Sequence, residues 1–374
     1  MSSFARTDTS LLGRWWWTVD RWLISTVLLI IALGAILVLA ASPSVAERIG
    51  LNPYHFVQRQ FIVLPVAMAL MFAVSLLNPL QIRRLAAIGF VGCLILLALT
   101  PIFGAEIKGA RRWLSIGGLS LQVSEFVKPC LAVMSAWMFA EWRRRPEFPG
   151  HLIAIALWAV VVGLLLLQPD LGQTVVVTLV WLAQFFLAGL PMAFILAIGV
   201  LALCGLSAAY FLFPHVSSRI DRFFDRSSGD TFQIDRSLEA FTNGGLLGTG
   251  PGEGEIKQIL PDAHSDFIFS VAGEEFGAIT CLLIIALFGF VVLRGFSRLF
   301  ADDNLFVVLA GAGLLIQFGL QALIHMASTL ELMPTKGMTL PFISYGGSSL
   351  LALALAMGIT MALTRRRSNG GGLS

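Results

Sequence analysis

The sequence predicts an all-α membrane protein with ten transmembrane helices, and three observations carry that expectation. Hydrophobic residues make up 57% of the chain and charged residues 13%, a balance that no single water-soluble core can hide. The mean hydropathy is +0.85. Apolar runs of the length needed to cross hydrocarbon recur from one end of the chain to the other.

Taken in order, the spans cover 22–41, 61–77, 85–103, 126–142, 151–167, 173–189, 193–213, 267–293, 305–324 and 349–364. The first run is long and lacks a small-residue cleavage site, so it is expected to span the membrane and not to act as a signal peptide. Before it, residues 1–21 form an N-terminal segment whose Trp15-Trp16-Trp17 stretch suits the membrane interface. Residues 214–266 make a long loop between the seventh and eighth helices, and residues 365–374 a short tail. The whole of 1–374 is expected to be a single membrane domain.

Ten spans place both termini on one side. That side gathers thirteen arginines against six acidic residues, with Arg83, Arg84, Arg143 to Arg145, Arg294 and Arg298 crowding short loops and helix ends. Arginines so placed set orientation, which assigns both termini to the cytoplasm. The larger loops, 42–60, 104–125, 214–266 and 325–348, are then external. No Gly-x-x-x-x-Gly-Lys-Ser/Thr motif occurs, and the internal loops are too short to cradle a nucleotide, which argues against ATP-driven transport by this chain alone. Cys93, Cys130, Cys204 and Cys281 all fall within spans and match no metal spacing, as expected of small buried hydrophobes. Gly244, Gly245, Gly248, Gly250, Gly252 and Gly254 follow no strand and open no βαβ unit, so they predict a flexible or tightly turning loop, not a phosphate cradle.

Chemistry concentrates between Ile259 and Gly277. His264 and Asp266 stand at the mouth of the eighth span, with Glu274 and Glu275 inside it on different sides of one expected helix. Ionised groups at that depth need a partner or a wet cavity. For Asp266 two readings stand: a helix cap, shared with Ser265, or a general base favoured by its acidic neighbours. His264 either orients an acceptor, tunes Asp266 or sits at the interface. Glu274 and Glu275 fit a buried ion pair or hydrogen bond better than direct catalysis. Lys336, in a loop bounded by Pro334 and Pro341, suits an anionic phosphate, as do Arg111 and Arg112, and Trp113 beside them either stacks on a sugar or anchors at the interface. Glu125 and Lys128 are three apart and able to pair at the entrance to the fourth span. Asp170 follows Pro169 as a turn residue. The alternating charges from Arg219 to Arg236 suit a solvated face or a partner rim. An external transferase has no access to cytoplasmic nucleotide donors; a lipid-linked pyrophosphate fits instead.

Four motifs resemble the SEDS family. They are Leu260 to Phe269 with Gly273-Glu-Glu-Phe-Gly277, the run from Leu332 to Ser349, Gly109-Ala-Arg-Arg-Trp113 leading to Gln122-Val-Ser-Glu125, and Gln168-Pro-Asp-Leu-Gly172. The run from Pro334 to Ser344 and Pro251-Gly-Glu-Gly254 are more similar to the division branch of the family than to its elongation branch. The resemblance implies a peptidoglycan glycosyltransferase of the bacterial inner membrane that polymerises lipid II at the septum, with undecaprenyl pyrophosphate as leaving group and a class B penicillin-binding transpeptidase among its division partners. It maps the family's essential acid onto Asp266, gives Asp170 a structural or substrate-shaping role, and admits a divalent cation such as Mg. The chain departs from the family at Thr231-Phe-Gln-Ile-Asp235, Val123 and His325. A lipid II flippase and a non-catalytic division scaffold are the competing readings. The clustering of acids and cations at one face favours the enzyme over the flippase, and the buried Glu274 and Glu275 favour it over the scaffold.

Overall fold

The computed structural model describes residues 10–366 apart from 108–109, 117–118, 190–191, 213–216, 219–220, 222–230 and 335–336. An amphipathic helix, α1 (Leu11–Thr18), precedes α2 (Arg21–Arg48), α3 (His55–Ser75), α4 (Pro79–Phe103), α5 (Val123–Arg144), α6 (Gly150–Leu167), α7 (Leu171–Leu187) and α8 (Met192–Leu212). Then come α9 (Phe232–Gly244), the single turn α10 (Ile256–Ile259), α11 (Ile268–Leu299), α12 (Leu305–Thr329) and α13 (Gly347–Leu363). Each of the ten expected spans coincides with a helix, α2 to α8 and α11 to α13. Among the described residues, seven of these are long and apolar enough to cross a membrane by that measure alone, whereas α7 and α13 are shorter apolar helices.

Composition sorts the helices into an inner and an outer set. The most apolar, α2 and α11, have mean hydropathies of 2.9 and 2.8 and bury only 44% and 28% of their spanning windows. α5 has the lowest, 1.2, yet buries 83%, and α12 buries 72%. Lipid is as apolar as leucine, so apolar faces gain little by leaving it, while polar side chains gain much. α5 carries Ser124, Glu125, Lys128 and Ser135, and therefore lies at the centre, packed against α4, α6, α7, α12 and α13.

The bundle is all-α, and two of its expected loops carry regular structure. The loop expected at 104–125 contains a small three-stranded antiparallel sheet, β1 (Ala105–Ile107), β2 (Ala110–Ile116) and β3 (Leu119–Leu121). Leu114 pairs with Leu121 and buries against α4 and α5, which anchors the sheet. Within the long loop 214–266, α9 folds onto α11 and α12.

The two ends of the bundle are chemically distinct. At one end Trp15 Nε1 donates to Ser75 Oγ at 2.8 Å, Arg365 Nε to Thr18 Oγ1 at 2.9 Å, and Arg294 and Arg298 converge on Asp20. Burial of Asp20 raises its pKa, but the two guanidiniums and the Leu23 amide outweigh it and hold the carboxyl below its ordinary value. The described parts of both terminal segments therefore meet at this end, as ten spans require. Trp16 and Trp17 are exposed there, under the Arg21 guanidinium. At the other end, about 30 Å away along the 21 residues of α3, Phe56 meets His264 and Tyr345.

If the terminal end faces the cytoplasm, a cysteine at exposed Asn52 should react with a membrane-impermeant thiol reagent in intact spheroplasts. One at exposed Ala301, between α11 and α12, should react only after lysis. Gel shifts in a background lacking the native cysteines would report both, and inverted labelling would reverse the orientation.

Candidate active site

The motif Gly273-Glu-Glu-Phe-Gly277 does not continue as helix. Gly277 adopts φ 79°, ψ 176° and breaks α11 in two, correcting the uninterrupted eighth span. A break inside a membrane helix orphans amides and carbonyls that hydrocarbon cannot satisfy. Here the glycine-rich loop supplies the partners. Thr249 N donates to Glu274 O at 2.9 Å and Gly250 N to Glu275 O at 3.1 Å, while Ala278 N and Ile279 N donate to Gly245 O and Leu246 O. Such close approach leaves no room for side chains: a Cβ on Gly248 would overlap Glu275 O, and one on Gly277 would overlap Leu246 O. Gly245, Gly248, Gly250 and Gly252 all have positive φ. The glycines expected to give a flexible or tightly turning loop thus turn tightly and fit the chain's own broken helix.

Glu274 and Glu275, expected on different sides of one helix, both face this loop. Glu274 accepts from Ile256 N at 2.8 Å and Lys257 N at 3.3 Å; Glu275 accepts from Gly252 N at 3.0 Å and pairs with Lys257 Nζ. Both carboxylates are 1% exposed. They close a clasp between α11 and α10, the ion-pair role favoured for them from sequence, and Lys257 is buried within it. From there Arg48 and Ser44 of α2 hold the carbonyls of Leu260 and Lys257, and the chain turns back toward Asp266.

Asp266 does not cap α11. The helix begins at Ile268 with Phe267 as the N-cap residue, and no side chain of that residue bonds to it. The half-buried Asp266 carboxylate lies instead against the loop that follows Lys336: a Cβ on Gly337 would sit 2.7 Å from Asp266 Oδ2. Lys336 itself lies outside the described residues. His264, two residues before Asp266, stacks on Phe56 at 4.4 Å and meets the Tyr345 ring at a tilt, 5.1 Å away. Burial pushes its pKa down to about 4, with Asp262 pulling up and Arg48 down, so the ring is neutral at physiological pH. Its Nδ1 has no partner among the described residues. Arg59, exposed on α3, bonds to the Tyr345 hydroxyl, a cation at this end that sequence inspection passed over.

The Pro-rich loop is fixed from several sides. Ser344 Oγ donates to Ser265 O at 2.6 Å and Tyr345 N to His264 O at 2.9 Å, joining the loop to the Asp266 turn. His325 Nδ1 bonds Met338 O at 2.6 Å, and Gln321 Nε2 donates to Thr339 O at 3.1 Å. Gln321 Oε1 in turn accepts from Lys128 Nζ at 3.2 Å, and Lys128 pairs with Glu125 at 3.0 Å. Gln173 of α7 donates to the other Glu125 oxygen, and Asp170 caps α7 through the Gln173 amide. The pairing expected of Glu125 and Lys128 is therefore one link in a relay from Asp170 to the loop beside Asp266. Gln317, Gln321 and His325, four residues apart on one face of an apolar helix, were the signal that sequence reading missed.

The hairpin cations divide. Arg112 donates to the carbonyls of Gln168 and Pro169, so its guanidinium shapes that turn instead of standing free for phosphate. Arg111 is exposed and pairs with Glu106 at 3.5 Å, a contact that water screens. Trp113, half-buried, pairs with Ala105 on β1. Ser348 Oγ donates to Ser120 O at 3.0 Å, which joins the hairpin to the start of α13 and hence to the Pro-rich loop. Of the cysteines, Cys93, Cys130 and Cys281 are buried as expected, whereas Cys204 is exposed.

A helical membrane bundle with a carboxylate, a neutral histidine and a Pro-rich loop at the end away from its termini matches the SEDS resemblance. The chain belongs to the FtsW/RodA/SpoVE family, described as cell cycle proteins, whose model matches residues 20–369. It is 47% identical to the probable peptidoglycan glycosyltransferase FtsW of Caulobacter vibrioides over 373 residues, 100% of this chain and 96% of the relative. The probable peptidoglycan glycosyltransferase FtsW of Coxiella burnetii is 35% identical over 94% of this chain and 98% of its own. Among solved structures, a chain of a peptidoglycan synthase complex that coordinates polymerization and crosslinking aligns with a TM-score of 0.77, at 29% identity, over 92% of this chain and 97% of that one. Thermus thermophilus RodA, a rod shape determining protein, aligns at 0.70, also 29% identical, over 93% and 97%.

The clasp predicts a contrast between two glycines. Gly248→Ala meets the Glu275 carbonyl and should abolish folded protein in detergent, whereas Gly252→Ala, at φ 88° with open space around it, should cost only about 1 kcal/mol for the backbone conformation. Thermal melts of the two variants would separate them.

Proposed function

We propose that this chain is a lipid II polymerase that lengthens peptidoglycan strands at the outer face of the bacterial inner membrane during septation. The observation that carries the reading is the Asp266 carboxylate. It is released from any capping duty and lies against the loop between Pro334 and Pro341, at the end of the bundle away from the termini. In the mechanism, an Asp266 oxygen removes the proton of the acceptor sugar hydroxyl as that oxygen attacks the anomeric carbon of the growing strand. The bond from that carbon to undecaprenyl pyrophosphate breaks, the electron pair leaves with the pyrophosphate, and a single displacement inverts the carbon.

Charge on the leaving pyrophosphate calls for cations already in place. Lys336 precedes the glycine that touches Asp266, and Arg111 and Arg59 present exposed guanidiniums at the same end. Arg112 contributes by holding the Gln168–Pro169 turn. His264, neutral and with an Nδ1 that has no partner among the described residues, serves as a hydrogen-bonding contact for the acceptor and not as a cation that tunes Asp266. Among the described residues no three His, Cys, Asp or Glu side chains gather to hold a metal, so a divalent cation in this scheme arrives with the pyrophosphate and no step runs through it. Likeness to a chain of a peptidoglycan synthase complex that coordinates polymerization and crosslinking supports a crosslinking partner, which the SEDS resemblance makes a class B penicillin-binding transpeptidase.

Asp266→Asn should leave folding and insertion intact and lower lipid II polymerisation by about 10²-fold or more, the range for losing a general base. The assay uses the purified chain with its transpeptidase partner and lipid II, and near-normal glycan yield from that variant would sink the catalytic assignment. Lys336→Arg should keep part of the activity because the charge survives, while Lys336→Met keeps the stem and should lose most of it. Polymerisation by Lys336→Met at the wild-type rate would move the phosphate role to Arg111 or Arg59.

A further inference from the structure

Four residues with polar groups that the relay leaves over line one cavity inside the bundle. Between α5, α7 and α12 lies an internal cavity of about 10 Å³, walled by apolar groups such as Leu131 and Val177 and lined also by Lys128, Trp181, Gln184 and Gln317. Those four residues are 3%, 1%, 0% and 3% exposed. Among the described residues, Trp181 Nε1 is a buried donor with no acceptor, and Gln184 Oε1 and Gln317 Oε1 are buried acceptors with no donor. The Gln184 amide is fixed in orientation, because its Nε2 donates to Ala132 O at 2.8 Å and Leu309 O at 3.0 Å. Lys128 directs two of its three protons to Glu125 and Gln321, and the third has no acceptor among the described residues.

We propose that this cavity binds a single water molecule, which accepts from Lys128 Nζ and Trp181 Nε1 and donates to Gln184 Oε1 and Gln317 Oε1. Two donors and two acceptors are the complement of one water, and the volume is about that of one water probe. A metal cation there would face an ammonium and an indole N–H, and a halide would face two amide oxygens. The neutral ligand satisfies all four, each of which is costly to leave unmade in a low-dielectric interior. The water staples three helices together and completes the shell of Lys128. The ammonium is thereby held on Gln321, which in turn holds Thr339 in the loop beside Asp266. Trp181, Gln184 and Gln317 are positioning residues for that loop. This last consequence rests on the proposed function; the water site does not.

The test is an experimental density map of the full chain at a resolution that shows ordered water, with a second specimen prepared in bromide. One peak with four polar neighbours at hydrogen-bond distance is expected, and no anomalous signal. An empty cavity, or bromide in it, overturns the proposal. Thermal melts give an independent reading, since Trp181→Phe keeps the stacking on Trp158 and Phe185 and Gln317→Met keeps the volume. Each should lower the melting temperature by roughly 2–4 °C, and the double variant should lose clearly less than the two losses combined, because both act through one water. Additive losses would count against a shared ligand, and if either variant fails to fold the map still decides.

Discussion

Hydrocarbon offers no hydrogen bonds, so every amide and carbonyl released by an interruption of a spanning helix must find a partner inside the protein. The arrangement around Asp266 depends on how α11 meets that demand at Gly277. Loop residues 245–250 fill the break backbone to backbone, and the Glu274 and Glu275 side chains then fasten the returning chain at Ile256 and Lys257. Asp266 is delivered by that returning chain. Its position is set by a clasp that closes earlier in the chain, at Ile256 and Lys257, where Glu274 and Glu275 build the scaffold.

The same economy governs the Pro-rich loop. Phe342 and Ile343 cross α2 at Gly34, where a Cβ would overlap the Phe342 carbonyl and lie 2.7 Å from Ile343 Cα, so irregular backbone reaches the middle of a long apolar helix. It is tolerated because Gln321, His325, Ser344 and Ser349 bind the segment from within the protein. The buried relay from Asp170 through Gln173, Glu125 and Lys128 ends on that segment. A paired charge inside the bundle is weak evidence for stability; here it determines where a loop lies.

Much of this was legible in the chain. Apolar runs give spans because hydropathy is a property of composition and needs no partner, and each of the ten runs holds a helix. The even number of spans placed the two terminal segments at one end, and the Asp20 cluster and the Arg365 contacts lie together there. Glu125 and Lys128, three residues apart, pair because helix geometry alone brings them side by side.

What the sequence determined by itself was therefore local or compositional: the membrane class, the spans, the shared end of the termini and the short-range ion pair. The tertiary structure alone decided which groups with similar chemistry stay available. Arg112 and Lys257 look like free cations in sequence, yet one is held by the Gln168 and Pro169 carbonyls and the other by Glu275, a partner 18 residues away. Asp266 looks like a cap and is not one, because the chain before it is drawn toward α2 and the loop at Gly337. The physical reason is that a polar group's role in a low-dielectric bundle is set by whichever partner reaches it, and those partners come from distant turns of the chain.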